Sequence, residues 1–175
     1  YTALCDNAHG CAVLNDCKYG VGVEQNSIEL TLLRAAASPE MQSDQGEQHF
    51  RYGFTAWEGA FADAPVVRQG LAFNEPIAQE SGSLKTFSAF ATDRENIVVD
   101  TLKPADDGSG DLILRLYESK KADTTFRLMT DLPVAALVPC SMLEEERAEK
   151  IAPDAPIHAR PFEVKTFRVK MKELS

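Results

Sequence analysis

Five side chains able to do chemistry stand together near the start of this sequence. Asn15, Asp16, Cys17, Lys18 and Tyr19 lie side by side within His9–Val23, HGCAVLNDCKYGVGV, between two apolar runs. Short amide and carboxylate groups beside an ammonium can hold the hydroxyls of a polyol or a neighbouring domain. Asn and Asp also bond their own backbone and tolerate turn conformations. The same cluster therefore reads equally as a corner that Asn15-Asp16 opens and Gly20 closes. A second polar patch follows. Arg34 ends an apolar strand, as a snorkelling edge arginine or as a planar donor fork aimed at a hydroxyl pair or carboxylate. In Asp44–His49, Gly46 suits a sharp turn, Asp44 its cap, and His49 the start of the next strand.

No catalytic set assembles from these groups. The sequence has no G-x-S-x-G elbow, H-E-x-x-H pair, phosphate loop or calcium loop. His9, His49 and His158 are far apart. Cys5, Cys11 and Cys17 are spaced six residues apart and Cys140 stands alone, without the close pair that zinc sites show. The cysteines are expected as free thiols of a reducing cytoplasm, with Cys11 and Cys17 packed as small apolar groups. Neither catalytic nor metal-binding residues are assigned. Glu144-Glu145-Glu146 reads as a solvated charge run. Trp57 and Tyr52 could stack on a sugar, but they stand in an alternating strand and are expected to fill the core.

The elements that must position these groups follow a period of two. Ser27–Leu33, Phe50–Trp57 and Leu112–Tyr117 alternate as half-buried antiparallel strands do. Phe162–Met171 is read as another, with five apolar residues on one face. Further strands are expected at Cys11–Leu14, Leu84–Phe90, Asn96–Leu102, Thr124–Met129 and Val134–Val138. Hairpin connections fall at 24–26, 106–110 and 120–123. The spacing predicts an all-β fold, an antiparallel β-sandwich of eight or nine strands. One short helix is expected at Pro65–Phe73, with proline at its start. Ser141–Lys150 reads as a helical turn or a solvated loop. The whole of 1–175 reads as a single domain, with 104–110 as the place where it would divide.

Composition narrows the classes. The chain has 175 residues, 44% hydrophobic and 26% charged, enough for one sizeable core. A net charge of −9 without a basic block argues against nucleic acid and against an anionic membrane surface. No apolar run approaches the roughly 20 residues of a membrane span. The sequence opens at Tyr1 and reaches motif-like residues within ten positions. It is expected to be a piece of a longer polypeptide.

The run Gly10–Gly20, GCAVLNDCKYG, closely resembles the C-terminal β-region of the α-mannosidases of glycoside hydrolase family 38. The order that follows matches too: Leu30–Arg34, Pro39-Glu40, Asp44–Glu47, Phe50–Tyr52, Phe73–Pro76, Leu114–Glu118 and Arg160–Thr166. The resemblance runs from about His9 to Met171. It departs at Gln48, where the family often has histidine. His49 stands one step later, on the opposite face of a strand, so no histidine role is carried to it. Family members also place proline closer to the arginine than Pro39 is to Arg34, so the Arg34 loop is expected to differ.

The resemblance implies a β-sandwich that follows a catalytic barrel and a helical bundle in one polypeptide. Enzymes of that family are zinc-dependent, retaining exo-α-mannosidases. Their zinc ligands, nucleophile and acid catalyst lie in N-terminal parts with no counterpart here. The chain is therefore expected to hold no cofactor and to be inactive alone. It would support the catalytic domain and border the α-mannoside cleft through Arg34, Asn15, Asp16 and Asp44. Two rivals are a stand-alone carbohydrate-binding module and a structural sandwich that holds a homo-oligomer together.

Overall fold

The computed structural model describes residues 1–75, 77–83 and 85–172. Two compact units are present, Tyr1–Ser81 and Gly82–Ser175. Both are built from antiparallel strands, and one α-helix is found among the described residues.

In the first unit, β1 (Thr2–Cys5), β2 (His9–Asn15) and β5 (Tyr52–Glu58) form a sheet in the order β1-β2-β5. The strands β3 (Val21–Glu24) and β4 (Ser27–Leu30) make a separate hairpin, with Gln25 at a positive φ in its two-residue turn. Ala12 and Leu14 point to one face of central β2 and are buried. The helix α1 (Val66–Asn74) packs on β2, burying Val66, Val67 and Gly70. Nine residues are too few for a helix to persist alone in water, so this packing carries it. Pro65 precedes the first turn, as its spacing predicts.

The alternation in β5 is as expected, but its burial is not. Tyr52 and Phe54 are 61% and 72% exposed, so Tyr52 does not fill a core. Trp57, five residues on, points to the other face and lies across Gly10, its register partner. Odd spacing puts Tyr52 and Trp57 on opposite sides, so they cannot form one stacking platform.

In the second unit, β7 (Ile97–Pro104), β8 (Leu112–Glu118), β11 (Val134–Cys140) and β13 (Val164–Met171) form a four-stranded sheet in the order β11-β13-β8-β7. Two small pairs accompany it. One joins β6 (Ala91–Thr92) to β10 (Leu128–Met129), and the other joins β9 (Thr124–Phe126) to β12 (Ile157–Ala159). Leu114, Leu116, Leu137, Phe167 and Val169 from the sheet pack with Phe126, Ile157 and Ala159 from the pair. This is the two-layer packing of a sandwich. Pro104 ends β7, and residues 105–110 belong to the turn between β7 and β8, closed by the Ala105 N–H on the Asp111 carbonyl at 2.9 Å.

Several boundaries shift. The expected Thr124–Met129 strand is broken at Arg127 into β9 and β10. In the expected strand Leu84–Phe90, Leu84 lies outside the described residues and 85–90 are not strand. Pro76 of the Phe73–Pro76 match is outside them as well. The strands β1, β3, β6 and β12 are short additions to the predicted set. The five apolar residues of Phe162–Met171 do not share a face. The phase changes at Thr166: Phe167 and Val169 are buried, whereas Phe162 and Val164 are 58% and 49% exposed.

The acidic run is not simply solvated either. Glu144 Oε1 lies 2.6 Å from Lys103 Nζ, and its Oε2 accepts the Asp106 N–H at 2.9 Å. Glu146 faces Arg168 and Lys170 at 3.9 and 3.5 Å. The segment 141–150 folds back on β11, with bridges Cys140–Glu146 and Leu137–Ile151.

Candidate functional site

The strand β2 ends at Asn15, and the chain must turn there before β3. Asn15 Oδ1 accepts the Lys18 N–H at 2.9 Å, the local turn that asparagine favours. The Asn15 carbonyl accepts a hydrogen bond from Asn74 Nδ2 at 3.2 Å, and the same amide bonds the Gly70 carbonyl at 3.0 Å. Asn74 thus ties the end of α1 to the end of β2.

Asp16 is committed to Arg51. Its Oδ1 accepts the Arg51 N–H at 2.9 Å, and its Oδ2 accepts from Arg51 Nε at 3.2 Å. The Arg51 backbone N–H above all, then the Cys17 thiol and the Arg51 side chain, hold the Asp16 carboxyl well below the usual range, at about 2. The same contact to Asp16 pushes the Cys17 thiol up. Arg51 also donates to the Phe73 carbonyl at 3.1 Å and lies over the Phe73 ring. Lys18 Nζ sits 4.7 Å from the centre of the Phe50 ring.

Thr2, Asn15, Asp16, Lys18, Tyr19 and Asn74 border a cleft of about 370 Å³. Most of its amide and carboxylate groups are already engaged in holding the corner. Tyr19 is 92% exposed at its edge. Cys17 is exposed and Cys11 half-buried, so the packing expected for Cys17 does not occur. All four thiols are free.

Arg34 and Asp44 are brought to one place. Asp44 does not cap the turn at Gly46. Its Oδ2 accepts the Ala35 N–H, nine residues upstream, at 2.9 Å. Ala35 and Asp44 have φ of 50° and 61°, and a cis Ser38–Pro39 bond lies between them. The Arg34 side chain is exposed and makes no hydrogen bond or ion pair with a described residue. No hydrogen bond among the described residues joins this loop neck to Asn15 or Asp16. His49 is paired with Glu47 at 3.3 Å on the surface.

Arg51 and Asn74 hold the corner, and sequence reasoning gave them no such role. A polar residue just past an expected helix and a charge inside an alternating run were their only signals. Among the described residues no three His, Cys, Asp or Glu side chains cluster to hold a metal. The donors of the described residues do not fit a zinc site.

Two family models match the chain. "Glycosyl hydrolases family 38 C-terminal domain" matches residues 1–42, and "Glycosyl hydrolases family 38 C-terminal beta sandwich domain" matches residues 96–167. Together they take in more than half of the sequence. Alpha-mannosidase G of Dictyostelium discoideum is 35% identical over 91% of this chain and 16% of its own length. Alpha-mannosidase 2C1 of Homo sapiens is 33% identical over 81% of this chain and 14% of its own. The chain therefore spans about one-sixth of the curated relatives it matches. An alpha-mannosidase from Enterococcus faecalis V583 has the same fold over 95% of this chain and 20% of its own, with a TM-score of 0.73 at 23% identity.

Proposed function

This chain belongs to the C-terminal region of glycosyl hydrolase family 38, and from that premise we propose that it is the non-catalytic β portion of a retaining α-mannosidase. One observation carries the reading: similarity to α-mannosidases runs through both units rather than through one motif. A stand-alone carbohydrate-binding module is not favoured for the same reason.

In this reading the nucleophile, the acid/base and the zinc ligands belong to parts of the polypeptide outside this chain. Retention needs two carboxyl groups on either side of one glycosidic bond, and none of the carboxylates here is given that role. Arg34 is the substrate-facing group of the chain. Its guanidinium is exposed, has no partner among the described residues and stands next to a tethered backbone, and it offers a rigid fork of donors to sugar hydroxyls at the rim of the cleft. Asn15 and Asp16 act by building the corner at the end of β2.

The partners proposed are the N-terminal catalytic and helical domains of the same polypeptide. They would cover the exposed β5 face that carries Tyr52 and Phe54. Left uncovered, that face would drive self-association of the isolated chain, the expected origin of any homo-oligomer. No helix among the described residues is long and apolar enough to cross a membrane. A cytoplasmic setting is proposed, in keeping with the four free thiols.

The test compares the full-length polypeptide with residues 1–175 on aryl α-mannoside, α-glucoside and α-galactoside. The expected result is release from the α-mannoside with retained anomeric configuration, by the full-length protein alone. Hydrolysis by residues 1–175, or a full-length protein inactive on α-mannosides, would overturn the reading.

A further inference from the structure

We infer that Asp44 is a positioning residue for Arg34, acting through the Ala35 N–H, and not itself a substrate contact. The inference rests on the reading above that Arg34 faces substrate.

Regular structure ends at Leu30, and Thr31 is still held by the Gly20 carbonyl at 2.8 Å. From there to Glu40, the Ala35-to-Asp44 bond is the one hydrogen bond that holds the main chain among the described residues. Glu40 knots the loop's far end. Its carbonyl accepts Ser43 Oγ at 2.9 Å, and its Oε1 accepts the Gln42 N–H at 3.0 Å. Asp44 follows that knot directly. Its carboxylate therefore closes the neck between a knotted tip and a stretch that no other hydrogen bond among the described residues holds.

The backbone shows what the clasp resists. Ala35 sits at φ 50°, where a Cβ crowds the following carbonyl. Without the bond, Ala35 would relax toward negative φ. Arg34 is joined to Ala35 through one peptide plane, so that rotation would swing its side chain away from its present direction. Asp44 has no acceptor role toward Arg34 itself, because no ion pair joins the two.

Asp44→Ala, Asp44→Asn, Arg34→Ala and the double variant Arg34→Ala/Asp44→Ala are compared in the full-length protein. Asp44→Ala is expected to lower kcat/KM for an aryl α-mannoside about tenfold, the scale of one lost hydrogen bond. Asp44→Asn keeps an acceptor oxygen and should stay within about twofold of wild type. In the Arg34→Ala background, Asp44→Ala should cost nothing further, because both act through one group. Melting temperature should not move, since the loop is exposed. Equal loss in Asp44→Asn and Asp44→Ala would make the carboxylate a charge or substrate contact and overturn the inference. Additive loss in the double variant would do the same.

Trypsin supplies a readout free of activity. Cleavage after Arg34 should accelerate in Asp44→Ala, with other sites unchanged. An unchanged rate would remove the clasp itself. A wild-type protein without α-mannosidase activity would instead sink the parent reading, while the tryptic rate still reports on the clasp.

Discussion

Asp16 grips Arg51 twice, through the backbone N–H at 2.9 Å and through Nε at 3.2 Å, across 35 residues of sequence. The pair closes the corner at the end of β2 onto the start of β5. It makes Asp16, within the most distinctive motif of the chain, part of a structural corner.

The first prediction concerns acid. The folded Asp16 carboxyl lies at about 2, below its ordinary value of 3.8. A depressed carboxyl stabilises the fold fully above 3.8, and that contribution is lost as pH falls through about 2. Asp16→Asn should therefore be less stable than wild type near neutrality and converge on it at the acid end. NMR titration of the carboxyl should give a midpoint near the folded value. A midpoint at the ordinary value would show that the grip is absent.

Gly10 should tolerate no side chain. A Cβ there would lie 2.1 Å from the Trp57 ring, so the bulky indole would have to shift. Gly10→Ala is expected to cost about 1–3 kcal/mol by overpacking. Trp57 is the sole tryptophan, so its fluorescence in urea reports the loss directly. An unchanged midpoint and emission would contradict the packing.

Glu118 is a buried carboxylate that organises turns. Its oxygens accept the Phe162 N–H at 2.9 Å, the Lys120 N–H at 2.7 Å and Asn96 Nδ2 at 2.9 Å. Burial works to raise its pKa, but the Phe162 N–H, Asn96 and Lys120 outweigh it and the net direction is down. Glu118→Ala leaves these donors unmet. It should destabilise the second unit by about 1–3 kcal/mol or more in a denaturant titration. Glu118→Gln, which keeps an acceptor, should recover part of that loss.

Phe167 anchors the sandwich core and is 3% exposed. Phe167→Ala should cost about 3–5 kcal/mol. Val164→Ala, three residues earlier but 49% exposed, should change little. Equal effects would mean that the strand phase set at Thr166 is wrong.

Arg34→Lys in the full-length protein should behave like Arg34→Ala rather than like wild type. A lysine keeps the charge but loses the planar fork. Full kcat/KM in Arg34→Lys would reduce the role of Arg34 to charge alone.

The all-β architecture, the main strands and the helix after Pro65 were legible because they rest on local period and on proline's fixed φ. The family was legible because the Asn-Asp-Cys-Lys-Tyr-Gly run and the segments after it keep their order. The phase change at Thr166 was equally local and could have been counted. The rest was not local. Whether Asp16 and Asp44 face a ligand depends on where Arg51 and Ala35 lie, and alternation carries no information about partners 35 and nine residues away. The exposure of Tyr52 and Phe54 likewise depends on what covers β5, which its own pattern cannot state. The sequence by itself determined the main strands, their composition and the family. The tertiary structure alone decided which polar groups are used up in holding corners and, among the described residues, left Arg34 without a partner, because a hydrogen bond is decided by distance in space.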